Sequence, residues 1–235
     1  MTKLVFAVLM LSGGDVWVTK PPEEWNDKDA RKVVTASPWA KTVTATTSGH
    51  APTDPANRTQ GARRGGMMGG MGGRGGMGSN RNGTGAPPLQ TRVPVPDAKG
   101  IVRWESAQPV REAERRLESE TPLAEGYVVV SLTLLGQEGE TAAHQVPKTE
   151  QQRSSFAKYI RDAVTIEAKG ESPVKPEKAE VKDTPEGPMI VFYFPRSETP
   201  SGEEHEVTFT AKMYPLQFQA KFKTKDMKYG GKVEM

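Results

Sequence analysis

Residue types that perform catalysis or bind metals are few in this sequence, and their spacing matches no recognised catalytic or metal site. The chain has no cysteine and three histidines, at 50, 144 and 205, which do not have the spacing of a metal-binding pair. No serine lies in a G-x-S-x-G turn, and no G-x-x-x-x-G-K-[ST] phosphate loop is present. Acidic residues cluster at 118–125 and 202–206, where we interpret them as charges on loops or turns rather than as paired catalytic carboxylates. The sequence therefore predicts no catalytic residue, no metal site and no cofactor.

Arginine and methionine are concentrated in a glycine-rich segment at 48–92. Its stretch 48–88 contains 13 of the 24 glycines and no valine, isoleucine, leucine, phenylalanine, tryptophan or tyrosine. Such a stretch cannot bury enough apolar surface to offset the ~1–2 kcal/mol of backbone entropy that each ordered residue loses. The composition therefore predicts a disordered linker over 48–92.

The side chains of this linker are compatible with several roles. We favour a flexible spacer that tolerates arginine and methionine. The first alternative is electrostatic binding to an acidic surface or polymer through Arg63, Arg64, Arg74 and Arg81. Two further alternatives are Cu(I) binding by thioether groups and an RGG-like contact with nucleic acid, which lacks the usual interleaved aromatic residues. The residues of the Cu(I) alternative are His50, Met67, Met68, Met71 and Met77.

The charge balance argues against a nucleic-acid-binding domain. The net charge is +3 and the pI is about 9.0, but residues 48–92 carry +5 and the rest of the chain carries −2. The basic pI therefore comes from the linker, and we expect no nucleic-acid partner for the globular part.

The first fourteen residues are typical of a secretory signal peptide. Lys3 provides a positive charge, residues 4–11 are apolar, and Ser12, Gly13 and Gly14 are small, as expected before a cleavage site. Eight apolar residues are too few to span a bilayer of ~30 Å, and the mean hydropathy of −0.61 excludes a polytopic membrane protein. The sequence predicts a signal peptide over 1–14 and a periplasmic or secreted protein without a transmembrane span; the alternative is a buried N-terminal strand.

Residues 15–47 are predicted to form a helix–strand module. Asn26 is a good N-cap for a helix with Asp29 at its third position, Pro38 ends that helix, and residues 39–47 alternate as in a strand. Trp17, Trp25 and Trp39 lie in this short module, which has little other apolar content. We expect them to dock the module on the main domain; the alternative is an aromatic binding platform, with Trp25 and Trp39 as candidate interaction residues.

Residues 93–235 are predicted to form the main α+β domain, with mostly antiparallel sheet and two or three helices. A helix opening at Pro109 has charges at i,i+3 and i,i+4 spacing and is expected to be solvated on most faces. A second helix places Phe156, Tyr159 and Ile160 on one face. The predicted strands are 101–107, 127–136 (buried on both sides), 163–170 and 189–195, and the predicted helices are 109–120 and 148–163.

The C-terminal thirty residues alternate strictly between apolar and polar side chains. A turn at Tyr214-Pro215 separates the two halves, so the segment reads as an antiparallel β-meander with one solvated face. The apolar face comprises Val207, Phe209, Ala211, Met213, Leu216, Phe218, Ala220 and Phe222.

Four stretches resemble a group of small exported bacterial proteins. They are W25-N-D-K-D, T35-A-S-P-W-A-K41, V102-R-W-E-S-A-Q-P-V-R111 and K225-D-M-K-Y-G-G-K-V-E234, with a glycine-rich segment between the second and third. This sequence differs from the group in its short signal and in TAS where TDS is usual before PWA. The resemblance implies export and a two-part layout, and it implies no activity.

Three functions follow from these observations as hypotheses. The first is a non-catalytic exported protein of the envelope or exterior that acts as an interaction or structural module, with a protein or polymer of that compartment as its partner. The second is a periplasmic metal- or ligand-handling protein that uses the linker. The third is a nucleic-acid-associated protein with an RGG-like insert.

Overall fold

The structure is a computed structural model that describes residues 15–47, 98–135, 146–202 and 205–235. These residues fall within one compact unit. The predicted signal peptide (1–14) and the predicted linker (48–92) lie outside the described residues.

The described residues contain four α-helices: α1 (Val16–Thr19), α2 (Asp27–Thr35), α3 (Gln108–Arg116) and α4 (Glu150–Asp162). Helix α2 begins at the predicted cap, because Asp29 N donates to Asn26 Oδ1 over 2.9 Å and Asn26 N donates to the Asp29 carboxylate. Helix α3 ends four residues earlier than predicted. Glu118 has a φ of 53°, and this left-handed residue reverses the chain after the helix.

Eleven strands lie in the described residues: β1 (Ala40–Thr44), β2 (Thr46–Thr47), β3 (Lys99–Trp104), β4 (Tyr127–Leu135), β5 (Val164–Ala168), β6 (Lys178–Thr184), β7 (Gly187–Pro195), β8 (Glu206–Met213), β9 (Leu216–Lys223), β10 (Lys228–Tyr229) and β11 (Lys232–Val233). They form a five-stranded sheet of order β1-β3-β4-β7-β6, a four-stranded sheet of order β2-β9-β8-β5 and the small β10-β11 hairpin. Every pairing is antiparallel. The predicted α+β fold with mostly antiparallel sheet is confirmed.

The five- and four-stranded sheets pack face to face around a shared core. Trp104 and Phe222 meet edge to face at 5.7 Å between ring centroids, and Phe192 and Phe209 lie 5.8 Å apart. The sheets approach closely at Gly100, where an added Cβ would lie 3.3 Å from Phe218 Cε1 on β9 of the other sheet. The predicted strand 39–47 is divided between the two sheets, because β1 pairs with β3 whereas β2 pairs with β9.

The two most apolar predictions are confirmed. Strand β4 is central, and every residue from 128 to 134 is buried. Strands β8 and β9 form the predicted hairpin, with all eight apolar residues of the alternating pattern buried and Lys212 and Gln219 exposed.

Two details differ from the predictions. In α4, Ile160 is buried and Phe156 is half-buried, but Tyr159 is 56% exposed, because the helix packs mainly against β6 at the edge of its sheet. Strand β6 itself was not predicted, since its charged sequence KAEVKDT leaves most of its side chains half-exposed. Within the described ranges, no helix combines the length and the apolar character that crossing a bilayer requires.

Candidate functional site

Polar and apolar side chains together form two rows on the outer face of the five-stranded sheet, opposite the core shared with the other sheet. Successive residues of a strand point to opposite faces, so Arg103 and Glu105 lie on this face while Val102 and Trp104 point into the core. Antiparallel pairing then aligns neighbouring strands. One row is Ile101, Thr133, Met189 and Lys182; the next is Arg103, Ser131, Val191 and Glu180.

A buried ion cluster lies in the second row. Arg103 Nε donates to Glu105 Oε1 over 2.8 Å, and Arg103 Nη2 donates to Glu114 Oε1 over 3.0 Å. The Ser131 hydroxyl also donates to Glu105 Oε1. The side chains of Glu105 and Glu114 are 0% and 2% exposed, so Arg103 pairs with two buried carboxyl groups.

Glu114 also fixes the loop that follows α3. Thr121 N donates to Glu114 Oε2 over 3.1 Å, and the Thr121 hydroxyl donates to Glu114 Oε1 over 3.0 Å. Ser119 N donates to the Glu114 carbonyl, which closes the reversal at Glu118. Residues 117–121, which we call the wall loop, are therefore attached to the ion cluster through one side chain.

The cluster favours a protonated carboxyl group. Burial, followed by the charge of Glu105, raises the pKa of Glu114 to about 8. Burial opposes the charge of Arg103, but the two neighbouring carboxyl groups outweigh it and raise the pKa of Arg103 above its ordinary value. At neutral pH the Glu114 carboxyl group is thus mostly protonated beside the charged Arg103 guanidinium.

One buried oxygen explains where that proton is needed. Within the described part of the chain, Glu105 Oε2 has no hydrogen-bond donor. A hydrogen-bonding interaction with the Glu105 carboxyl group also contributes to the raised pKa of Glu114. A proton on Glu114 supplies the donor that the carboxyl pair otherwise lacks.

A cleft of about 620 Å³ lies above the first row, beside the cluster. Its floor is formed by Ile101, Arg103, Thr133 and Met189. The wall loop forms one side, and the other sides are the C-terminal half of α2 and the β6–β7 turn at 182–186. The charged residues that line it are Arg31, Arg103, Glu118, Glu120, Lys182, Asp183 and Glu186.

Helix α4 fixes the far side of this cleft. Arg153 Nη2 donates to both carboxylate oxygens of Asp183, over 2.8 and 2.7 Å, and Arg153 Nε donates to the Pro147 carbonyl. The β6–β7 turn is thereby held by a charge-assisted contact, as the wall loop is held by Glu114.

The structure places the two candidate tryptophans in the core. Trp25 and Trp39 are 1% and 0% exposed, and their indole N–H groups donate to the carbonyls of Lys20 and Glu234. Trp17 packs edge to face against Trp39 at 6.0 Å. A buried indole has no free face for a ligand, so these residues act in packing. The candidate arginines Arg63, Arg64, Arg74 and Arg81 lie outside the described residues.

The sequence interpretation missed the buried role of Glu114. Helix α3 was expected to be solvated on most faces, yet Val110, Ala113 and Glu114 are buried. A signal was present, because Glu114 follows Val110 by four residues and so shares its helix face. Residues 118–120 of the acidic stretch were included in the predicted helix 109–120, but all of 118–125 lies outside helices and strands, as the loop interpretation expects, and Glu118 and Glu120 line the cleft.

In the ranges that the structure covers, no group of three or more histidine, cysteine, aspartate or glutamate side chains is arranged to hold a metal ion. No protein-family model, curated protein or solved structure matches this chain. The site can keep a protonated carboxyl group buried and can offer charges of both signs to a ligand.

Proposed function

We propose that this chain is a non-catalytic, exported interaction module of the bacterial envelope or exterior, which binds its partner in the cleft over the five-stranded sheet. The observation that carries this proposal is the cleft itself, about 620 Å³ in volume and lined by the wall loop, α2 and the β6–β7 turn. Binding surfaces are commonly loops held on a rigid scaffold, and here two sides of the cleft are fixed by buried or bidentate charge contacts.

The position of the acid–base groups supports a binding role rather than a catalytic one. A general acid or base must reach the proton it transfers, over about 3 Å or through one water. Glu105 and Glu114 are almost fully buried, and three of their four carboxyl oxygens accept hydrogen bonds from Arg103, Ser131 and Thr121. Neither carboxyl group lines this cleft, so the cluster supports its floor and the wall loop; Glu114 lines a smaller neighbouring cavity of about 410 Å³ with Arg111 and Thr121.

The charges around the cleft favour a protein segment as the partner. Arg31 and Lys182 provide positive charge, whereas Glu118, Glu120 and Glu186 provide negative charge. A uniformly anionic polymer would meet the three acids, while a polypeptide segment can present both signs of charge. Complementary charges of this kind give specificity and orientation more than raw affinity.

Export is proposed on the sequence pattern of Lys3, the apolar residues 4–11 and Ser12-Gly13-Gly14. Intact-mass measurement on chain expressed in a Gram-negative host should give a mature protein that starts at or near Asp15. A full-length cytoplasmic product as the only species would contradict export.

Site-specific photocrosslinking tests the binding cleft. A benzophenone amino acid placed at Ser119, in the cleft, should crosslink the exported chain to an envelope or extracellular protein. The matched control places the same group at Lys212, which is exposed on the outer face of the other sheet. The adduct from position 119 should weaken at least fivefold in the double variant Arg31→Ala, Lys182→Ala. Identical adducts from both positions, or none from position 119, would contradict the proposed function.

A further inference from the structure

The wall loop is held by one buried ionisable residue, Glu114, and by an exposed ion pair in which Arg115 Nε donates to Glu120 Oε1 over 3.2 Å. Residues 117 to 121 all line the cleft, and the hydrogen bonds from Thr121 to Glu114 attach them to the cluster. On the opposite side, Asp183 is held by Arg153, an arginine that belongs to no buried carboxyl pair. Hydrogen bonds to a buried carboxyl group therefore hold the wall loop, whereas an arginine–aspartate ion pair holds the β6–β7 turn.

The cluster has one cation for two carboxyl groups. Among the described residues, Arg103 is the cation that pairs with either Glu105 or Glu114. Other charged groups surround Glu114 and the cleft. They are Arg111, Glu112 and Arg115 on α3, Glu118 and Glu120 on the wall loop, Arg31 on α2, Lys182 and Asp183 at the end of β6, and Glu186, whose charge acts on Arg103. None of these cations forms an ion pair with Glu114 in the described part of the chain, so a second buried carboxylate would lack a partner.

We propose that the proton shared by Glu105 and Glu114 holds the wall loop on the sheet, and that its loss to solvent in mildly alkaline conditions releases the loop and widens the cleft. As a mechanism that regulates binding, this proposal rests on the function proposed above. It identifies the bistable element as the C-terminal end of α3 together with the wall loop, and the switch as one titrating carboxyl group.

The hydrogen bonds indicate which contacts would break. Ionisation of Glu114 strengthens its bonds from Thr121, because a charged acceptor binds donors more tightly than a neutral one. The same ionisation places a second negative charge beside the buried Glu105 carboxyl group, where repulsion is stronger than at the surface. Glu114 and Thr121 should therefore stay together and move away from Glu105, so the wall loop leaves the sheet as one unit with the end of α3.

The pKa of Glu114, about 8, places this change within an accessible pH range. Arg103 stays charged across that range, because its pKa is raised above an already high value. The trigger is therefore the carboxyl group and not the arginine.

Two measurements on the full chain test the proposal between pH 6.5 and 9.5. The amide nitrogen of Thr121 should titrate in NMR spectra with a midpoint near 8, because its N–H donates to Glu114. The width of the cleft can be followed by spin labels in the double variant Ser119→Cys, Pro185→Cys, since the native chain has no cysteine to interfere. The distance between the labels should increase by several ångströms through the same midpoint.

Two further variants separate the proposal from general alkaline unfolding. Glu114→Gln mimics the protonated side chain and should abolish both the Thr121 titration and the change in distance. Glu105→Gln removes the opposing charge and should lower the Thr121 midpoint while keeping the distance constant; it also provides the test if Glu114→Gln does not fold. No Thr121 titration, or a titration with an unchanged distance, would overturn the proposal.

These outcomes are independent of the crosslinking experiment, because no partner is present. If the wall loop moves with pH but no partner is crosslinked in the cleft, the proposed function is wrong and the pH mechanism stands. If a partner is crosslinked but the wall loop does not move with pH, the proposed function stands and the pH mechanism is wrong.

Discussion

At the scale of single residues, the fold buries an ionisable side chain, Glu114, in its neutral, protonated form. Burying Glu114 as a carboxylate beside Glu105 would be unfavourable despite the attraction of Arg103. The free energy of desolvating buried ions can exceed the Coulombic attraction between them. Protonation removes the negative charge of Glu114 and with it most of that cost. The price of this arrangement is a dependence of stability on pH.

The pH dependence has a definite sign. The pKa of Glu114 is raised from about 4.5 in the unfolded chain to about 8 in the folded one, so the folded state binds more protons between these values. Its stabilising contribution is fully present below the unfolded value and is lost as the pH rises through the folded value. Denaturant melts should show stability falling by up to about 1 kcal/mol per pH unit between pH 6 and 8.

Glu114→Gln should flatten this slope, because glutamine keeps an acceptor for Thr121 and needs no proton. Glu112→Gln is the matched control, since Glu112 lies on the same helix and pairs with Arg115 at the surface. The residues with lowered pKa values, Asp29 and Glu180, lose their contribution at acidic pH, outside this window. A wild-type profile as flat as that of Glu114→Gln would show that Glu114 is ionised in the native protein.

At the scale of elements, the β8–β9 hairpin offers the sharpest test of packing. Phe218 is fully buried and its neighbour Gln219 is exposed on the opposite face of the same strand. Phe218→Ala should lower the free energy of unfolding by about 3–5 kcal/mol through lost burial and a cavity between the sheets. Gln219→Ala should change it by less than about 0.5 kcal/mol.

Both variants are measured by denaturant unfolding under the same conditions. Equal effects at positions 218 and 219 would mean that the strand is shifted by one residue, because such a shift exchanges the buried and solvated faces.

The same elements show how far the sequence predicts the fold. Strands β4, β7, β8 and β9 were found because a long apolar run and strict alternation are local signals of burial. The cap of α2 was found because Asn26 and Asp29 have capping-box spacing. Strand β6 was missed because its charged sequence carries no local signal of burial. It is a strand because it pairs with β7, and a pairing between distant residues cannot be recognised from the sequence of β6 alone.

The candidate site was less predictable for a physical reason. Arg103 and Glu105 flank Trp104 on a strand, a pattern that indicates one outward face, but their burial depends on what covers that face. Glu114 comes from a helix whose other acids and bases are solvated, and only tertiary packing distinguishes it from them. The cleft depends on three separate elements meeting above one row of side chains, which no local pattern encodes.

At the scale of the whole molecule, residues 15–47 share a sheet and a core with the rest of the described chain. Strand β1 pairs with β3 along five residues, and Ala45 N donates to the Ala98 carbonyl over 2.7 Å. The chain therefore leaves this edge after residue 47 and is back beside it at Ala98. Ala45 and Ala98 are far apart in sequence but hydrogen-bonded in the fold, so a much shorter segment could connect the two ends.

We predict that replacing residues 49–90 by a ten-residue Gly/Ser linker leaves cooperative unfolding intact. Loop-closure entropy changes by only about 0.6 kcal/mol for each doubling of length, so a shorter connection should leave the melting temperature unchanged or slightly higher.

Trp39→Ala in the same background should instead lower the melting temperature, by the equivalent of about 3–5 kcal/mol in the free energy of unfolding, because Trp39 is fully buried and packs against Trp17 and Tyr229. Trp25→Ala should act in the same direction, and both variants should shift one transition rather than create a second, since these indoles belong to the common core. Calorimetry of the shortened chain beside the two variants measures all three effects. Loss of cooperativity on shortening would show that residues 49–90 stabilise the fold, whereas a main transition untouched by Trp39→Ala would show that residues 15–47 fold independently of the two sheets.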